Sequence, residues 1–351
     1  MKLNSKIFVL FFSIMLICLI IIFPETSKNG IYGGLILSAN VVIPSLFPFL
    51  VCVLMIAKNG ITINNYYINT LLYKTLGYDF EMFYVFILSL LGGYPVGAKL
   101  INELVINKNI NEKAANIMIT YCVNAGPSFI VVIVGGSFKS KQLGIVLLVS
   151  HILSSFILAL LCSKELKNNS KIKSNSKSSN KSFSICFVES TKDAVESIIN
   201  ICGFIIMFSS INSYIDYFFS GIKALKILSY FTEVTSSVIK CNNIYFASFL
   251  LGFSGISIWC QIFAVAKNFN IYKIRFLLSR LTHGILSVII TKILLKIFEI
   301  KIPTFTNNTN YNIKYLYSNV VLLNSMIIMI ISFLMFLYLK NNSRKFINDV
   351  I

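Results

Sequence analysis

Six ionisable side chains stand inside otherwise apolar stretches of this sequence: Lys99, Glu103, Glu233, Arg280, His283 and Lys292. A charge at the centre of a bilayer costs at least ~2.5 to 3.5 kcal/mol on the insertion scale, so each is a candidate functional group. Lys99 follows the break Gly92-Gly93-Tyr94-Pro95-Val96-Gly97 by one short turn. If Pro95 starts a half-helix, its first amides and positive dipole end face the break, as an anion site requires, and Lys99 adds full charge. A lysine snorkelling to an interface accounts for the same residue without a ligand. Arg280 and His283 are three apart, hence on one helical face. The guanidinium fork suits a carboxylate, while the imidazole can orient a substrate or carry a proton. Structural pairing of Arg280 with Glu233 is the alternative. Glu233 and Thr235 lie on a short run after Tyr230, and Gln261 closes a second interrupted segment. Lone polar residues of this kind also bond neighbouring helices.

Composition narrows the chemistry these groups could serve. The 351 residues are 56% hydrophobic and only 13% charged, against the roughly 25% charged residues of a soluble domain. That excludes an ordinary globular protein. The net charge of +18 belongs to loops, because no polar stretch is long enough to carry a basic groove for nucleic acid. There is no phosphate loop, and two histidines, His151 and His283, are too few for a zinc protease. The eight cysteines form no C-x-x-C pair and sit mostly in apolar runs (Cys18, Cys52, Cys122, Cys162), so neither a disulfide framework nor a metal site is expected. Ser45, Ser128 and Ser254 lack a nearby acid or base pattern. No cofactor and no enzymatic activity are expected.

These residues must be positioned by membrane helices. Ile7 to Phe23 reads as a retained first span and Ile31 to Ala57 as a second, bent or broken at Pro44 and Pro48. Met82 to Leu104 breaks at its glycines, which membrane depth tolerates only where backbone is buried in protein or lines a wet cavity, so it reads as a re-entrant hairpin. Ala114 to Gly136 is a span broken near Asn124-Ala125-Gly126-Pro127, and Leu143 to Cys162 an uninterrupted one. Ser163 to Ser184, with six lysines against Glu165, is a flexible cytoplasmic linker. Beyond it come Ala194 to Phe219, the short run Ile227 to Ile239, Tyr245 to Ala266, Phe276 to Phe298 and Val320 to Leu339, with the polar stretch Pro303 to Lys314 before the last.

A shift of about 160 residues lays Leu90-Leu91-Gly92-Gly93 on Leu250-Leu251-Gly252-Phe253, and Asn40 on Asn200. Asn124-Ala125-Gly126 then falls near Thr282-His283-Gly284. Each half reads span, re-entrant segment, broken span, span. Interrupted segments at matching places of two halves point to a transporter binding site. With the N-terminus and linker both inside, four spans separate them, which makes the repeats inverted and places the tail with Lys340, Arg344 and Lys345 outside, against the loop-charge rule.

Leu91-Gly92-Gly93-Tyr94-Pro95-Val96-Gly97-Ala98-Lys99 and Cys122-Val123-Asn124-Ala125-Gly126-Pro127-Ser128-Phe129-Ile130 resemble the sporulation integral membrane proteins called YlbJ or SpoVV. These are grouped with nucleoside-recognition Gate proteins, similar to concentrative nucleoside transporters. Phe231-Thr232-Glu233-Val234-Thr235, Gln261 and Arg280 to Gly284 match that family more loosely, with Phe253-Ser254 where paired glycines are expected. The resemblance implies an all-α polytopic bundle of two inverted repeats: an N-terminal helix over 1–30, repeats over 31–162 and 185–298, the linker 163–184 between them, and 299–351 with the last span. It implies transport of dipicolinate, a flat pyridine with two carboxylates, across the outer forespore membrane. The substrate-binding candidates are Asn40, Gly93, Pro95, Gly97, Lys99, Asn124, Gly126, Pro127, Ser254, Gln261 and Arg280. Glu233, Thr235 and His283 are the coupling or gating candidates. The expected partners are the small anion, the lipid bilayer and a coupling proton or Na+. A nucleoside or nucleobase symporter and a non-transporting sporulation scaffold are the competing readings.

Overall fold

The computed structural model describes residues 2–59, 66–169, 182–219, 221 and 223–300. Met1–Pro303 form one unit, and Thr304–Ile351 a second that lies outside the described residues. The expected last span, the polar stretch before it, the basic tail and residues 170–181 of the linker therefore lie outside as well. Regular structure among the described residues is entirely helical.

Helix α1 (Lys2–Ile22) hands over at Phe23 to α2 (Pro24–Leu37), whose first residue is a proline. That is the one helical position where a missing N–H costs nothing. A π-helical turn, Ser38–Val42, then joins α2 to α3 (Ile43–Asn59). Pro24–Asn59 is thus one span of 36 residues, and the expected break at Pro44 and Pro48 does not occur. The wide turn lies just before Pro44, where an ordinary turn would meet the ring and lack a donor. Ser45 Oγ donates to the Val41 carbonyl at 2.6 Å, adding a bond inside that turn.

Beyond α4 (Tyr66–Leu76), Asp79 accepts from Met82 N at 2.8 Å and starts α5 (Phe80–Gly92), followed at once by α6 (Tyr94–Ile106). Each is 13 residues, about 20 Å, too short to cross a ~30 Å core. They pack on one another as a helical hairpin that turns at the glycines. Its tip, Gly93, has φ +87°, which a side chain would strain. Helix α7 (Glu112–Met118), capped by Asn111, ends early, and the chain is non-helical to Gly126 before a π segment (Phe129–Val134) and the short α8 (Gly135–Ser137). Helix α9 (Lys141–Asn169) follows. It runs past the linker boundary expected at Ser163, and α10 (Phe183–Phe218) begins before that linker's expected end.

The second half continues with α11 (Lys223–Thr232) and α12 (Val234–Lys240), parted by Glu233. Next come α13 (Ile244–Phe253) and α14 (Gly255–Val265), parted by Ser254 at φ 69°, and then α15 (Lys273–Ile297). Helix α15 passes unbroken through Thr282-His283-Gly284, so the third match of the 160-residue shift is overturned. A different spacing carries the later elements. Asn111 and Asn243 cap α7 and α13, Lys141 and Lys273 open α9 and α15, and His151/Ser155 recur as His283/Ser287, each 132 positions on. In this register the broken α13/α14 answers the broken segment from α7 to α8, whereas the 36-residue helices Pro24–Asn59 and Phe183–Phe218 stand 159 apart, close to the shift of about 160.

The long helices α9 and α15 turn apolar side chains outward and keep their polar ones buried. On α9, Ile145, Val149, Leu153, Phe156 and Leu160 face outward at helical spacing, while Ser150, His151, Ser154 and Ser155 are buried. On α15, Ile285, Ile289 and Ile293 face outward, and Arg280, His283, Ser287 and Thr291 are buried. Water would select the reverse; a hydrocarbon solvent selects this pattern. Among the described residues, five helices are long and apolar enough to cross a membrane, or six if the pair Asn69–Leu76 and Phe80–Gly92, bent by 70°, counts as one. The protein is a multi-pass helical membrane protein.

Candidate functional site

The two interrupted halves meet at their breaks. Tyr94, first residue of α6, donates its hydroxyl to the Leu251 carbonyl at 2.9 Å, three residues before the break at Ser254. At that break Trp259 Nε1 donates to the Phe253 carbonyl at 3.0 Å and to Ser254 Oγ at 3.2 Å. Backbone acceptors freed by unwinding are thereby paired inside the protein, as a low-dielectric surround demands.

A cavity opens beside these breaks. It encloses about 480 Å³ not filled by atoms, a figure that includes open solvent at its mouth. Gly92 to Pro95, the hairpin tip, form one wall, and Gly126 of the non-helical strand faces them. A β-carbon built on Gly93 would lie 3.6 Å from Gly126 N, so the two backbones run at near contact. Val42, Leu46 and Leu50 of the first long span and Ile201 and Ile205 of α10 give an apolar side. Polar groups in the wall are few. Gln261 is 3% exposed, and neither its oxygen nor its nitrogen has a hydrogen-bond partner among the described residues. Thr235 stands near it, and no charged side chain lines the cavity among the described residues.

The half-helices at this site are finished differently. Glu233 is fully buried, and its carboxylate accepts from Thr235 N at 2.8 Å and Ser236 N at 2.6 Å, capping α12 with a negative charge on its positive end. Helix α6 starts at Gly93, which has no side chain to offer, and Pro95 contributes no N–H. Its N-terminus has no side-chain cap.

Of the residues singled out from the sequence, Gly93, Pro95, Gly126, Thr235 and Gln261 line the cavity together. The others sit elsewhere. Asn40 is exposed in the π turn, and Pro127 is half-buried at the end of the strand. Asn124 is buried and donates to Ser89 Oγ at 3.1 Å and to the Tyr121 carbonyl at 2.8 Å. Gly97 faces Cys122, where a β-carbon would come within 1.8 Å of the carbonyl oxygen. Lys99 does not line the cavity; it reaches Asp193 of α10 at 3.6 Å, beside Lys58, which holds the same carboxylate at 2.9 Å. Ser254 supplies the left-handed break.

Arg280 and Glu233 do not pair. Arg280 is fully buried and donates to the Val123 carbonyl at 2.7 Å and to the Thr120 carbonyl, both on the non-helical strand. Glu233 is committed to its cap. His283 stacks on His151, with centroids 4.5 Å apart, and its Nε2 lies 3.2 Å from the His151 carbonyl. Sequence reasoning missed His151, Ser155 and Tyr94. The recurrence of His-x3-Ser ten residues into both α9 and α15 is the signal that could have found the first two.

Among curated proteins, the sporulation integral membrane protein YlbJ of Bacillus subtilis (strain 168) is 23% identical over 349 residues, an alignment covering 84% of each chain. The chain is thus similar, over most of its length, to a sporulation integral membrane protein. No family model matches the sequence, and no solved structure matches it. The length of the match matters more than its identity: it is too long to leave out either half, so the likeness to YlbJ extends over the repeat and not over the glycine motifs alone.

Proposed function

We propose that this protein is a membrane transporter of dipicolinate, acting in the outer forespore membrane of a sporulating cell by alternating exposure of the cavity between its two halves. The observation that carries this reading is the uncapped N-terminus of α6, beside Gly126 in the wall of a mostly apolar cavity that holds an unpartnered amide. A substrate carboxylate at Gly93 would do for α6 what the Glu233 carboxylate does for α12. The apolar side, from Val42 to Ile205, suits the faces of a flat ring, and Gln261 offers both donors and an acceptor to its edge. Half-helix termini holding an anionic substrate near mid-membrane are a recurring transporter device. The role is that of a carrier and not of a catalyst.

Purified protein incubated with dipicolinate is expected to melt higher, and proteoliposomes to take up labelled dipicolinate under an imposed proton or Na+ gradient, the effective gradient identifying the coupling ion. Gln261→Ala should weaken that stabilisation about tenfold in concentration, the effect of one lost hydrogen bond. It should barely move the melting of the free protein, since its amide has no partner to lose. No response to dipicolinate in either assay would overturn the reading. One observation favours a second solute: with no charged side chain in the wall, a neutral nucleobase or nucleoside also fits. Stabilisation by uridine and not by dipicolinate would select it.

A further inference from the structure

The non-helical strand that presents Gly126 is held from behind by side chains that do not reach the cavity. Between the end of α7 and Gly126, four backbone groups are taken in order. Thr120 O and Val123 O accept from Arg280. Tyr121 O accepts from Ser155 Oγ at 2.7 Å and from Asn124 Nδ2. Ala125 N donates to His151 Nε2 at 3.0 Å. Arg280, His151 and Ser155 are each fully buried, on α15 and α9, and none lines the cavity. An Nε2 that accepts fixes His151 as the neutral, Nδ1-protonated tautomer. The carbonyl of His151 is itself 3.2 Å from His283 Nε2, and the two rings stack.

We propose that His151, Ser155 and Arg280 are positioning residues for the substrate site: they fix the strand so that Gly126 stands opposite the hairpin tip. A guanidinium without a carboxylate fits this role. Its planar fork spans two carbonyls three residues apart, a task for which an ammonium has the wrong geometry. The proposal rests on the cavity being the substrate site, but its structural half is read without any substrate.

The test uses the full chain in lipid nanodiscs and compares His151→Ala with His151→Gln, whose side-chain oxygen can accept where Nε2 does. His151→Ala is expected to speed hydrogen exchange of the 120–126 segment about tenfold, leaving the outward half of α9 unchanged, and to raise the dipicolinate concentration for half-maximal uptake by a similar factor with maximal rate nearly kept. His151→Gln should recover both to within about threefold. Arg280→Lys should behave like His151→Ala. If His151→Ala fails to fold, Ser155→Ala, which removes one of two donors to Tyr121, gives the smaller exchange effect at Tyr121 and Cys122. Unchanged exchange in the folded variants, or no rescue by glutamine, overturns the proposal. Faster exchange in a protein that neither binds nor carries dipicolinate would keep the strand support and sink the functional reading instead.

Discussion

At the scale of single residues, the site depends on atoms that are absent as much as on those present. Gly97 lies where α6 crosses the strand, and its missing β-carbon leaves room for the Cys122 carbonyl. The added methyl of Gly97→Ala would sit 1.8 Å from that backbone oxygen and 2.8 Å from Ser89 Cβ, so it cannot be accommodated cheaply. A loss of about 3 kcal/mol is expected, the upper end for overpacking, and thermal unfolding in detergent would show it as a clear fall in melting temperature. A melting temperature equal to wild type would mean that α6 and the strand are not so close. Residue type was legible here and partnership was not. Arg280 stood out because a guanidinium in an apolar span is conspicuous, but its partners are carbonyls 157 and 160 positions away, and every residue has a carbonyl. The same anonymity hid His151, whose partner is a backbone amide. Lys99 was misleading for a different reason: the sequence shows that it follows a half-helix start, and only packing brings Asp193 to it.

At the scale of elements, the short helices are held to the long ones by ionic as well as apolar contacts. Asp193 of α10 receives Lys58 from α3 at 2.9 Å and Lys99 from α6 at 3.6 Å, and Glu189 adds a contact to Lys58 at 3.5 Å. The hairpin is thereby tied, six residues past its tip, to the pair of long spans. These side chains are 21 to 40% exposed, so solvent screens them and the tie is modest. Asp193→Asn should cost about 1 kcal/mol, chiefly by leaving two ammonium groups near one another, and a double-mutant cycle with Lys99→Met should recover part of it. The coupling should fade at high salt. Zero coupling in that cycle would remove Lys99 from the tie. Breaks of helix were legible wherever glycine or proline caused them, as at Gly93 and near Gly126. They were overread at Pro44, where a π turn absorbs the ring, and at Thr282-His283-Gly284, where α15 simply continues. The break at Ser254 was marked in the same way, by Gly252 and by Gly255 at φ +74°, whereas the break at Glu233 has no such marker and is made by a carboxylate capping the next helix.

At the scale of the whole molecule, the hairpin of the first half meets the broken segment of the second, and no single spacing relates the halves: the long helices Pro24–Asn59 and Phe183–Phe218 are 159 positions apart, the later elements 132. The glycine-rich motif of the first half resembles the Gly252 region by composition, since both are apolar backbone packed closely. Position in the fold instead follows the capping asparagines and the stacked histidines, 132 residues apart. One hydrogen bond joins the first break to the second: the Tyr94 hydroxyl, at the hairpin tip, on the Leu251 carbonyl. Tyr94→Phe keeps the ring that lines the cavity but leaves that buried carbonyl without this donor, a loss of about 1 to 3 kcal/mol. Because the ring remains, the concentration of dipicolinate giving half-maximal stabilisation should change by no more than about threefold, while the melting temperature of the free protein falls. The pair of measurements separates two accounts of the tip. If Tyr94 chiefly binds substrate through its hydroxyl, affinity falls and stability holds; if it chiefly ties the halves together, stability falls and affinity holds, and the second outcome is the one the Leu251 contact predicts.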